Sequence, residues 1–552
     1  MRLSSINENK EILTEIISKI AALENPKHEQ VASIISKRPD ITGNLFSKKD
    51  ILQAYREIKN EINLDSESEK KFLQRVKIRK VRTISGVTPV TVLTKPYNCP
   101  GNCIYCPSEE GFPKSYLSSE PGAQRALANK FHPYLQVFNR LVAYKNIGHP
   151  TDKVELIVLG GTWSYYTKEY QRWFILNCFK AMNDYNGQTE PIDVEKYEDK
   201  EKEVSWEEVF NEQKINETAQ SRCVGMSLET RPDYLNKEEI ERMRKLGATK
   251  IQIGIQSLSN KILRMNKRGH AVKETEEAFN LLRQAGFKIQ AHFMPNLYGS
   301  SPKKDIKNFK KLFSKKFRPD ELKIYPCSLI EGTDLMNLRR KDLWAPYSEE
   351  ILSYVLENLL MLTPRYCRIT RVIRDISSDD IVEGNKKTNF RQIVEKSLKE
   401  KGLKPKDIRY REIRGDEVLS GDLSLKITKY KTRVSEEVFL EYVTKEDKIA
   451  GFLRLSLPNK GSFNSELNES SIIREVHVYG QSLEIGSQKV GKAQHTGLGT
   501  KLIQKAEEMS KDKGFKRISV ISSIGTRKYY EKFGYILGSL YQTKDLLTPK
   551  IS

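Results

Sequence analysis

The stretch Cys99-Pro-Gly-Asn-Cys103-Ile-Tyr-Cys106-Pro places three thiols within eight positions, and it follows an apolar, β-branched run, 87–93, after a short loop through Lys95 and Pro96. Three thiolates on a loop bent by glycine and proline can face one point, as an iron–sulfur or metal site requires. A structural zinc site would want a fourth protein ligand, and none is evident nearby. A CxxC redox pair would leave one of the three cysteines without a role. The spacing therefore favours an iron–sulfur cluster held by Cys99, Cys103 and Cys106, with one iron open to a small molecule and zinc as the alternative.

The composition indicates a basic protein of two or three domains. The chain has 552 residues, with 94 lysines and arginines against 72 aspartates and glutamates, a net charge of +22. Such an excess points to a polyanionic partner, most often nucleic acid, although solubility alone is another explanation. We find no apolar run of the length that a membrane span needs and no signal peptide. Seven cysteines, three of them clustered, indicate free thiols, so we expect a cytoplasmic protein without membrane contact.

Residues 1–80 are predicted to be a helical, basic N-terminal region. Apolar side chains recur at helical spacing around Ile16 and Ile20, and Ser47-Lys-Lys-Asp50 matches a capping box. A basic run ends this region and includes four candidate RNA-binding residues, Lys77, Arg79, Lys80 and Arg82. A solvated charged face explains the run as well as contact with an RNA backbone does, so both interpretations stay open.

Strands and helices alternate over residues 81–370. Five predicted strands cover 154–159, 224–228, 250–255, 289–293 and 322–325, and polar residues such as Thr162, Glu229 and Gln256 follow several of them. This alternation predicts a parallel β/α barrel or part-barrel with its active site at the carboxyl ends of the strands. A charged segment, 186–221, interrupts the pattern, and we interpret it as a surface insertion with a helix near Trp206.

After a predicted linker, 371–415, the pattern over residues 416–552 becomes α+β. Three antiparallel strands lead to Gln494-x-x-Gly497-x-Gly499, which opens a helix at Thr500. Glycines at a helix start let backbone N–H groups point at a phosphate, although many such turns merely connect two elements. A tyrosine pair, Tyr529 and Tyr530, lies in the last helix.

This order of elements resembles the GNAT (GCN5-related N-acetyltransferase) fold, which binds acetyl-CoA. The resemblance assigns Glu475, Val476, His477 and Val478 to the strand that holds the pantetheine arm. It assigns the pyrophosphate to a loop containing Gln494, Gly497, Leu498, Gly499 and Thr500. It also places Tyr530 near the thiol, where a hydroxyl can protonate a departing thiolate, and Tyr529 is its neighbour; ordinary packing is the alternative for one of the two.

The barrel resembles a radical S-adenosylmethionine (SAM) enzyme. The C-x3-C-x2-C spacing and Tyr105 before the last cysteine fit that superfamily, in which three cysteines hold a [4Fe–4S] cluster that binds SAM. Gly160-Gly161-Thr162 resembles the strand end that binds the methionine amino group, with a tight turn as the alternative.

The fusion of the two resembles the catalytic subunit of Elongator, a family of tRNA-uridine carboxymethylating acetyltransferases. Further motifs agree, among them Glu229-Thr-Arg-Pro-Asp233, Asn266-Lys-Arg-Gly-His270 and the stretch 474–480. The resemblance implies that a radical formed on acetyl-CoA adds to C5 of the wobble uridine in a tRNA anticodon loop, and that hydrolysis leaves 5-carboxymethyluridine. It further implies that Lys153 contacts acetyl-CoA from the radical domain. The gap between the first two cysteines is shorter than in eukaryotic members, which suggests a bacterial or archaeal relative.

Some alternatives remain open from the sequence. Arg268, Arg409 and Arg411 are further candidates for RNA binding, with a surface salt bridge as the simpler explanation of each. Cys327 and Cys367 are a weak candidate for a second metal site. A homodimer and an Elongator-like assembly are both compatible with the sequence. The rival functions are a protein-lysine acetyltransferase with a structural iron–sulfur domain and a non-catalytic RNA-binding protein that senses acetyl-CoA.

Overall fold

Helices alone build the N-terminal region. The computed structural model describes residues 3–24, 28–62, 64–76, 86–413, 422–479 and 497–547. The first helices are α1 (Leu3–Glu8), α2 (Lys10–Ala22), α3 (His28–Ser36), α4 (Lys48–Ile58) and α5 (Ser66–Val76). Ile16 and Ile20 are buried in a core of their own, and the predicted capping box from Ser47 to Asp50 is confirmed.

A parallel sheet of seven strands follows, which confirms the predicted part-barrel. Its elements and the segments between them are β1 (Thr88–Leu93), α6 (Pro121–Leu127), α7 (Pro133–Asn146), β2 (Lys153–Leu159), α8 (Lys168–Asp184), α9 (Trp206–Asn216), β3 (Arg222–Thr230), α10 (Lys237–Lys245), β4 (Lys250–Gln256), α11 (Asn260–Met265), α12 (Val272–Gln284), β5 (Lys288–Phe293), α13 (Pro302–Lys311), β6 (Glu321–Ile324), β7 (Leu329–Ile330), α14 (Leu335–Arg340), α15 (Glu349–Leu362) and β8 (Arg368–Val372). The strand order is β1-β2-β3-β4-β5-β6-β8, and every neighbouring pair is parallel.

Alternation along β2 separates a buried outer face from a face that lines the lumen. On β2, Val154, Leu156 and Val158 are fully buried under the helices, whereas Glu155 and Ile157 are only partly covered. Successive strand residues point to opposite faces of a sheet, so the second set faces the lumen. The lumen of this open barrel is therefore accessible to a ligand.

Two segments outside the predicted strand–helix pattern are folded, namely the 186–221 insertion within the barrel domain and the predicted linker after it. The insertion contains α9, which confirms the predicted helix at Trp206. The predicted linker contains β9 (Ile381–Glu383), α16 (Phe390–Glu400) and α17 (Ile408–Arg411). Phe390, Val394 and Leu398 are buried in the main core, so this segment packs on the barrel rather than forming a free linker. The four-residue spacing of these side chains gives α16 an apolar face within a highly charged sequence.

The C-terminal part is a second seven-stranded sheet with a long helix against it. Its elements are β10 (Ser424–Lys431), β11 (Ser435–Val443), β12 (Ile449–Pro458), β13 (Ser470–Val478), α18 (Leu498–Asp512), β14 (Arg517–Val520), α19 (Arg527–Glu531), β15 (Ile536–Leu537) and β16 (Gln542–Asp545). The order is β10-β11-β12-β13-β14-β16-β15, and only β13 and β14 pair in parallel. This is the α+β arrangement that the sequence predicts.

A buried ion network joins the two sheets. Asp320, just before β6, is fully buried and accepts two hydrogen bonds from Arg474 of β13, at 2.7 and 2.8 Å. Arg283 of α12 and Arg454 of β12 lie at 3.2 and 3.5 Å from the same carboxylate. Burial alone would raise the pKa of Asp320, but these guanidinium groups hold that pKa well below its usual range. Glu437 of β11 adds a second carboxylate, 2.7 Å from Arg474.

Within the described residues, no helix is both long and apolar enough to cross a bilayer.

Replacing Asp320 with asparagine should destabilise the protein at neutral pH. The amide keeps the shape but leaves buried guanidinium groups without their counter-charge, which costs about 3–5 kcal/mol. Because the pKa of Asp320 is depressed, its contribution is present above the unfolded value of about 4 and is lost as the pH falls below it. The Tm difference between Asp320→Asn and the wild type should therefore be large at pH 7 and shrink in acid.

The matched control is Glu469→Gln, which removes an exposed partner of Lys516. Exposed pairs contribute about 0–1 kcal/mol, so this variant should unfold near the wild-type temperature. Equal Tm values for the Asp320 variant and the wild type at pH 7 would contradict the stabilising role of the network.

Candidate active site

The cysteine loop lies at the carboxyl end of β1, at the mouth of the barrel. Cys99, Cys103 and Cys106 are each partly exposed, whereas the other four cysteines of the chain are buried. The loop is held by its backbone: Ile104 N–H donates to Asn266 O, and Ile104 O accepts from Leu335 N–H at 3.1 Å. Burial and the neighbouring Cys103 raise the pKa of Cys106 to about 11. Three partly exposed thiols on one anchored loop are a suitable donor set for an iron–sulfur cluster.

The three sulfur atoms of the loop are not arranged around one common metal position. Among the described residues, no group of three His, Cys, Asp or Glu side chains is arranged to hold a metal ion. Beneath the loop lies Arg231, a buried arginine whose Nη1 has no hydrogen-bond partner, and a Cβ at Gly101 would collide with that atom. This cationic group close under the loop suits the negative charge of a thiolate-bound cluster.

The glycine-rich strand end reaches the same loop. Gly160 and Gly161 follow β2 with φ of +117° and +95°, and a side chain on Gly160 would collide with Thr94. Apart from the adjoining residues, no atom of the described residues lies within 4 Å of the position that a Cβ on Gly161 would take, so this backbone is open to a ligand. Thr162 Oγ1 lies 3.8 Å from Cys99 Sγ. The structure thus brings the predicted SAM-binding residues next to the predicted cluster ligands.

The predicted acetyl-CoA strand diverges from its neighbour. The pairing of β13 with β14 ends at Ile473 and Val520, but β13 continues to Val478. Glu475, Val476, His477 and Val478 lie on this diverging half, and all are partly exposed. Two splayed parallel strands leave a wedge into which an extended ligand can place hydrogen-bonding groups.

Four of the predicted coenzyme-A contacts, Gly497, Leu498, Gly499 and Thr500, lie at the start of α18. Gly497 precedes the helix with φ +67°, and Leu498 and Thr500 lie in its first turn. A Cβ on Gly499 would lie 2.7 Å from the hydroxyl of Tyr529 and 3.9 Å from a methyl of Val478. The helix N-terminus, the end of β13 and Tyr529 therefore converge. Gln494 lies outside the described residues.

The two tyrosines have different surroundings. Tyr529 is 40% exposed beside Gly499, whereas Tyr530 is buried, and burial raises the pKa of Tyr530. Tyr530 lines a cavity of about 970 Å³ between the two sheets, together with Glu475 and His477. This location favours Tyr530 over Tyr529 as the hydroxyl near the thiol.

Lys153 lies at the first position of β2. Strand alternation puts Lys153 on the same face as Glu155, which lines the 970 Å³ cavity. Its Nζ lies 4.0 Å from the carboxylate of Asp152. This position is compatible with the predicted contact to acetyl-CoA from the radical domain.

A second cavity, of about 800 Å³, lies in the half of the barrel next to the cysteine loop. Its lining includes Tyr105 and Cys106 of the cluster loop and reaches down the lumen to Pro89 and Arg409. Pro89 and Arg409 also line the 970 Å³ cavity. The cluster side and the acetyltransferase side therefore meet inside the barrel.

The predicted RNA-binding arginines are largely interior. Arg411 is 4% exposed and donates to Glu441 at 2.8 Å, and Arg268 is 6% exposed and donates to Gly254 O at 2.6 Å. A buried guanidinium held in this way is not available to an RNA phosphate, so neither position supports the prediction. Arg268 instead donates to Cys103 Sγ at 3.6 Å. Arg409 donates to Thr370 O and faces the lumen. Lys77, Arg79, Lys80 and Arg82 lie outside the described residues.

A row of charged side chains in the lumen was not predicted from the sequence. Lys288 of β5 bridges Glu475 at 2.6 Å and Glu321 at 3.4 Å, and Lys250 of β4 bridges Glu321 at 3.5 Å and Glu155 at 2.5 Å. Burial alone would lower the pKa of Lys288, but the carboxylates of Glu321 and Glu475 raise that pKa above its ordinary value. The sequence signal from which this row could have been predicted is the polar residue at every second position of the strands.

Comparison with known proteins defines the class. Residues 93–312 match the radical SAM superfamily, 319–400 the radical SAM C-terminal domain, and 410–535 the GNAT acetyltransferase family. The chain is therefore a radical SAM protein fused to a GNAT acetyltransferase domain, as the sequence predicts.

Full-length relatives narrow the class to a family. The chain is 40% identical over 499 residues to a Methanocaldococcus jannaschii protein named tRNA uridine(34) acetyltransferase, covering 87% of this chain and 88% of that one. Elongator complex protein 3 of Homo sapiens is 34% identical over 501 residues, 86% and 87% of the two chains. The solved structure of archaeal Methanocaldococcus infernus Elp3, lacking residues 1–46, matches with a TM-score of 0.70 and 37% identity, over 84% of this chain and all of that one. The chain belongs to the family of tRNA uridine(34) acetyltransferases and Elongator complex protein 3. Its two domains imply a [4Fe–4S] cluster with SAM, and acetyl-CoA.

The contact between Gly499 and Tyr529 gives a test of the coenzyme site. Gly499→Ala should weaken acetyl-CoA binding at least about tenfold, because the new methyl group meets the Tyr529 hydroxyl at the helix start. Tyr529→Phe removes that oxygen, so the double variant should regain most of the affinity lost. Calorimetric titration of both single variants and the double variant with acetyl-CoA measures the coupling. If Gly499→Ala weakens acetyl-CoA binding by the same factor in the wild type and in Tyr529→Phe, the contact between Gly499 and the Tyr529 hydroxyl is contradicted.

Proposed function

We propose that this protein modifies the wobble uridine of tRNA, using SAM and acetyl-CoA to form 5-carboxymethyluridine. The observation that carries the proposal is the meeting of the two cavities at Pro89 and Arg409 inside the barrel. A carbon radical is short-lived, so its source, the acetyl group and the acceptor base must share one enclosed space. The relatives named tRNA uridine(34) acetyltransferase supply the substrate class.

Each cofactor has residues suited to hold it. Cys99, Cys103 and Cys106 would hold the cluster, and the open backbone at Gly161 would accept the methionine part of SAM. When bound, these groups supply the radical that takes hydrogen from the acetyl methyl of acetyl-CoA.

The acetyltransferase side of the chain binds and orients the second cofactor. The start of α18 would bind the pyrophosphate through backbone N–H groups, and the diverging half of β13 would direct the pantetheine arm toward the lumen. Tyr530, buried at the end of that path, is placed to donate its proton when hydrolysis releases the coenzyme-A thiolate. Lys153, on the lumen side of β2, would contact acetyl-CoA from the radical domain.

An anticodon loop suits this arrangement because its bases unstack readily. A single flipped base can enter a cavity of 800 Å³, and the basic surface of the chain would hold the flanking phosphates. Free thiols fit a reducing compartment, so we place the reaction in the cytoplasm. We further propose that the chain works as a homodimer or within an Elongator-like assembly, which mass measurement in solution will decide.

Anaerobic reconstitution tests the proposed function directly. The protein, loaded with iron and sulfide, is incubated with tRNA, SAM and acetyl-CoA, and the tRNA nucleosides are analysed by mass spectrometry. Carboxymethyluridine should form only when both cofactors are present. Acetylation of protein lysines without SAM, in place of tRNA modification, would favour the rival function.

Cys103→Ser should abolish the modification while leaving tRNA affinity within about twofold, because the serine hydroxyl is a poor iron ligand. Iron content should fall in parallel. The control, Cys178→Ala, removes a buried thiol outside the loop and should keep its iron. Retained carboxymethyluridine formation by the serine variant would rule out the cluster as the radical source.

Reversing Lys77, Arg79 and Arg82 to glutamate should weaken tRNA binding about tenfold or more and flatten its dependence on salt, because fewer counterions are released. The control reverses three exposed lysines of α13, namely Lys303, Lys307 and Lys310. Filter binding at several salt concentrations compares the two triple variants. Identical salt slopes for both would show that the basic run does not contact tRNA.

A further inference from the structure

The charged insertion, 186–221, reaches the acetyltransferase sheet through its helix α9. This helix packs against a short turn, Ile524–Thr526, which leads directly into α19. Glu217 follows the last residue of α9, and its side chain is only 2% exposed. Its carboxylate lies 3.0 Å from Arg527 Nη1 and 3.9 Å from Lys528 Nζ, at the first two positions of α19. Neither α9 nor Glu217 has a role in the site described above.

Arg527 is the closest of the cations around the Glu217 carboxylate. Its Nη1 donates to Glu217 Oε1 at 3.0 Å, and its side chain is 12% exposed. Lys214 and Lys528 approach the other carboxylate oxygen at 3.8 and 3.9 Å, and both lysines are exposed to solvent. A buried carboxylate is tolerated only when its partner is held at hydrogen-bond distance, so Glu217 and Arg527 fix each other in place.

The barrel also holds the residues that precede α19. Arg244 of α10 donates to Ser522 O at 2.7 Å, and Ser523 Oγ donates to Cys223 O of β3 at 2.7 Å. A Cβ on Gly525 would lie 2.9 Å from the same Cys223 oxygen, so the backbone touches β3 at this point. The segment that leads into α19 is therefore anchored on the barrel, and the pair with Glu217 is its last anchor before the tyrosines.

This anchored segment is also a wall of the 970 Å³ cavity. Ser522, Ser523, Thr526 and Tyr530 all line that cavity. Helix α19 has only five residues, and a helix so short has no stability of its own. Its orientation therefore depends on the anchors at its start. Because Arg527 lies less than one helical turn before Tyr530, a shift of its guanidinium group would move the Tyr530 hydroxyl.

We propose that Glu217 is a positioning residue for thioester hydrolysis, which holds Arg527 so that the Tyr530 hydroxyl lies at the departing thiolate. In that step the oxygen of water bonds to the carbonyl carbon as the C–S bond breaks. Tyr530 gives its proton to the sulfur and regains one from the water. The insertion then contributes to the active site without touching a substrate. This inference rests on the proposed function, which gives Tyr530 its task.

The test measures the release of coenzyme A in the anaerobic reaction with tRNA, SAM and acetyl-CoA. Glu217→Gln keeps an acceptor for Arg527 but removes the charge, so release should slow by about tenfold or more through a misplaced hydroxyl. Formation of 5′-deoxyadenosine and the affinity for acetyl-CoA should stay within about twofold of the wild type, because the cysteine loop and the start of α18 are unchanged. The matched control, Glu207→Gln, alters an exposed residue in the first turn of α9 and should behave as the wild type does.

A double-mutant cycle separates positioning from a general loss of stability. Tyr530→Phe removes the hydroxyl and should slow the release of coenzyme A by about 10²-fold or more. In that background, Glu217→Gln should change the rate by no more than about twofold, because no hydroxyl is left to misplace. Arg527→Gln removes the other partner and should match Glu217→Gln in both backgrounds. It also replaces Glu217→Gln in the cycle if the Tm shows that the Glu217 variant does not fold.

Release of coenzyme A at the wild-type rate by the Glu217 and Arg527 variants overturns the inference. So does an equal slowing by Glu217→Gln in the wild type and in Tyr530→Phe, or a parallel loss of acetyl-CoA affinity, since either result assigns the pair to the domain contact alone. Normal release by Tyr530→Phe overturns it as well, because the hydroxyl then has no task. Failure of the wild type to form carboxymethyluridine instead rejects the proposed function itself.

Discussion

The relative position of the two sheets depends on a buried set of ions centred on Asp320. Three guanidinium groups, from Arg283, Arg454 and Arg474, are balanced by the carboxylates of Asp320, Glu437 and Glu475. Charges removed from water are tolerated only when their partners are held at hydrogen-bond distance, so rotation of one sheet against the other would leave charges uncompensated. An apolar interface of the same size would allow more sliding. This network therefore fixes the acetyltransferase wedge against the foot of the barrel, where a radical reaction shared between two domains requires it.

The same charges continue into the lumen. Glu475 belongs to both the interface and the acetyl-CoA strand, and it begins the alternating row through Lys288, Glu321, Lys250 and Glu155. Each cation lies between two carboxylates, which keeps the row ionised and close to neutral overall. A hydrophobic lumen would exclude water and with it the hydrolysis step of the proposed reaction. The polar foot of the barrel instead suits that proposed step, in which a thioester reacts with water.

The sequence predicts the parts of this protein that depend on local spacing. Three cysteines in one loop, glycines at a helix start and polar strand ends each specify a site or a fold through short-range geometry. Burial of single charged residues depends on distant partners and could not be predicted in this way. Arg268 and Arg411 look like surface cations in the sequence, but Cys103 and Glu441, far away along the chain, hold them inside.

The buried ions also change what the net charge of +22 means. Among the described residues, eight arginines are buried but only one lysine, Lys250. Most of these arginines are paired with acidic side chains, so the net charge of the surface stays strongly positive. Because the buried cations are mainly arginines, the cations left on the surface are richer in lysine. Arginine presents a planar fork that can read a base edge or clamp a phosphate bidentately, whereas lysine acts as a mobile point charge. A lysine-rich surface therefore attracts a nucleic acid backbone without reading its sequence. Under the proposed function, selection of the wobble uridine would therefore occur inside the barrel, whose lining includes Arg409.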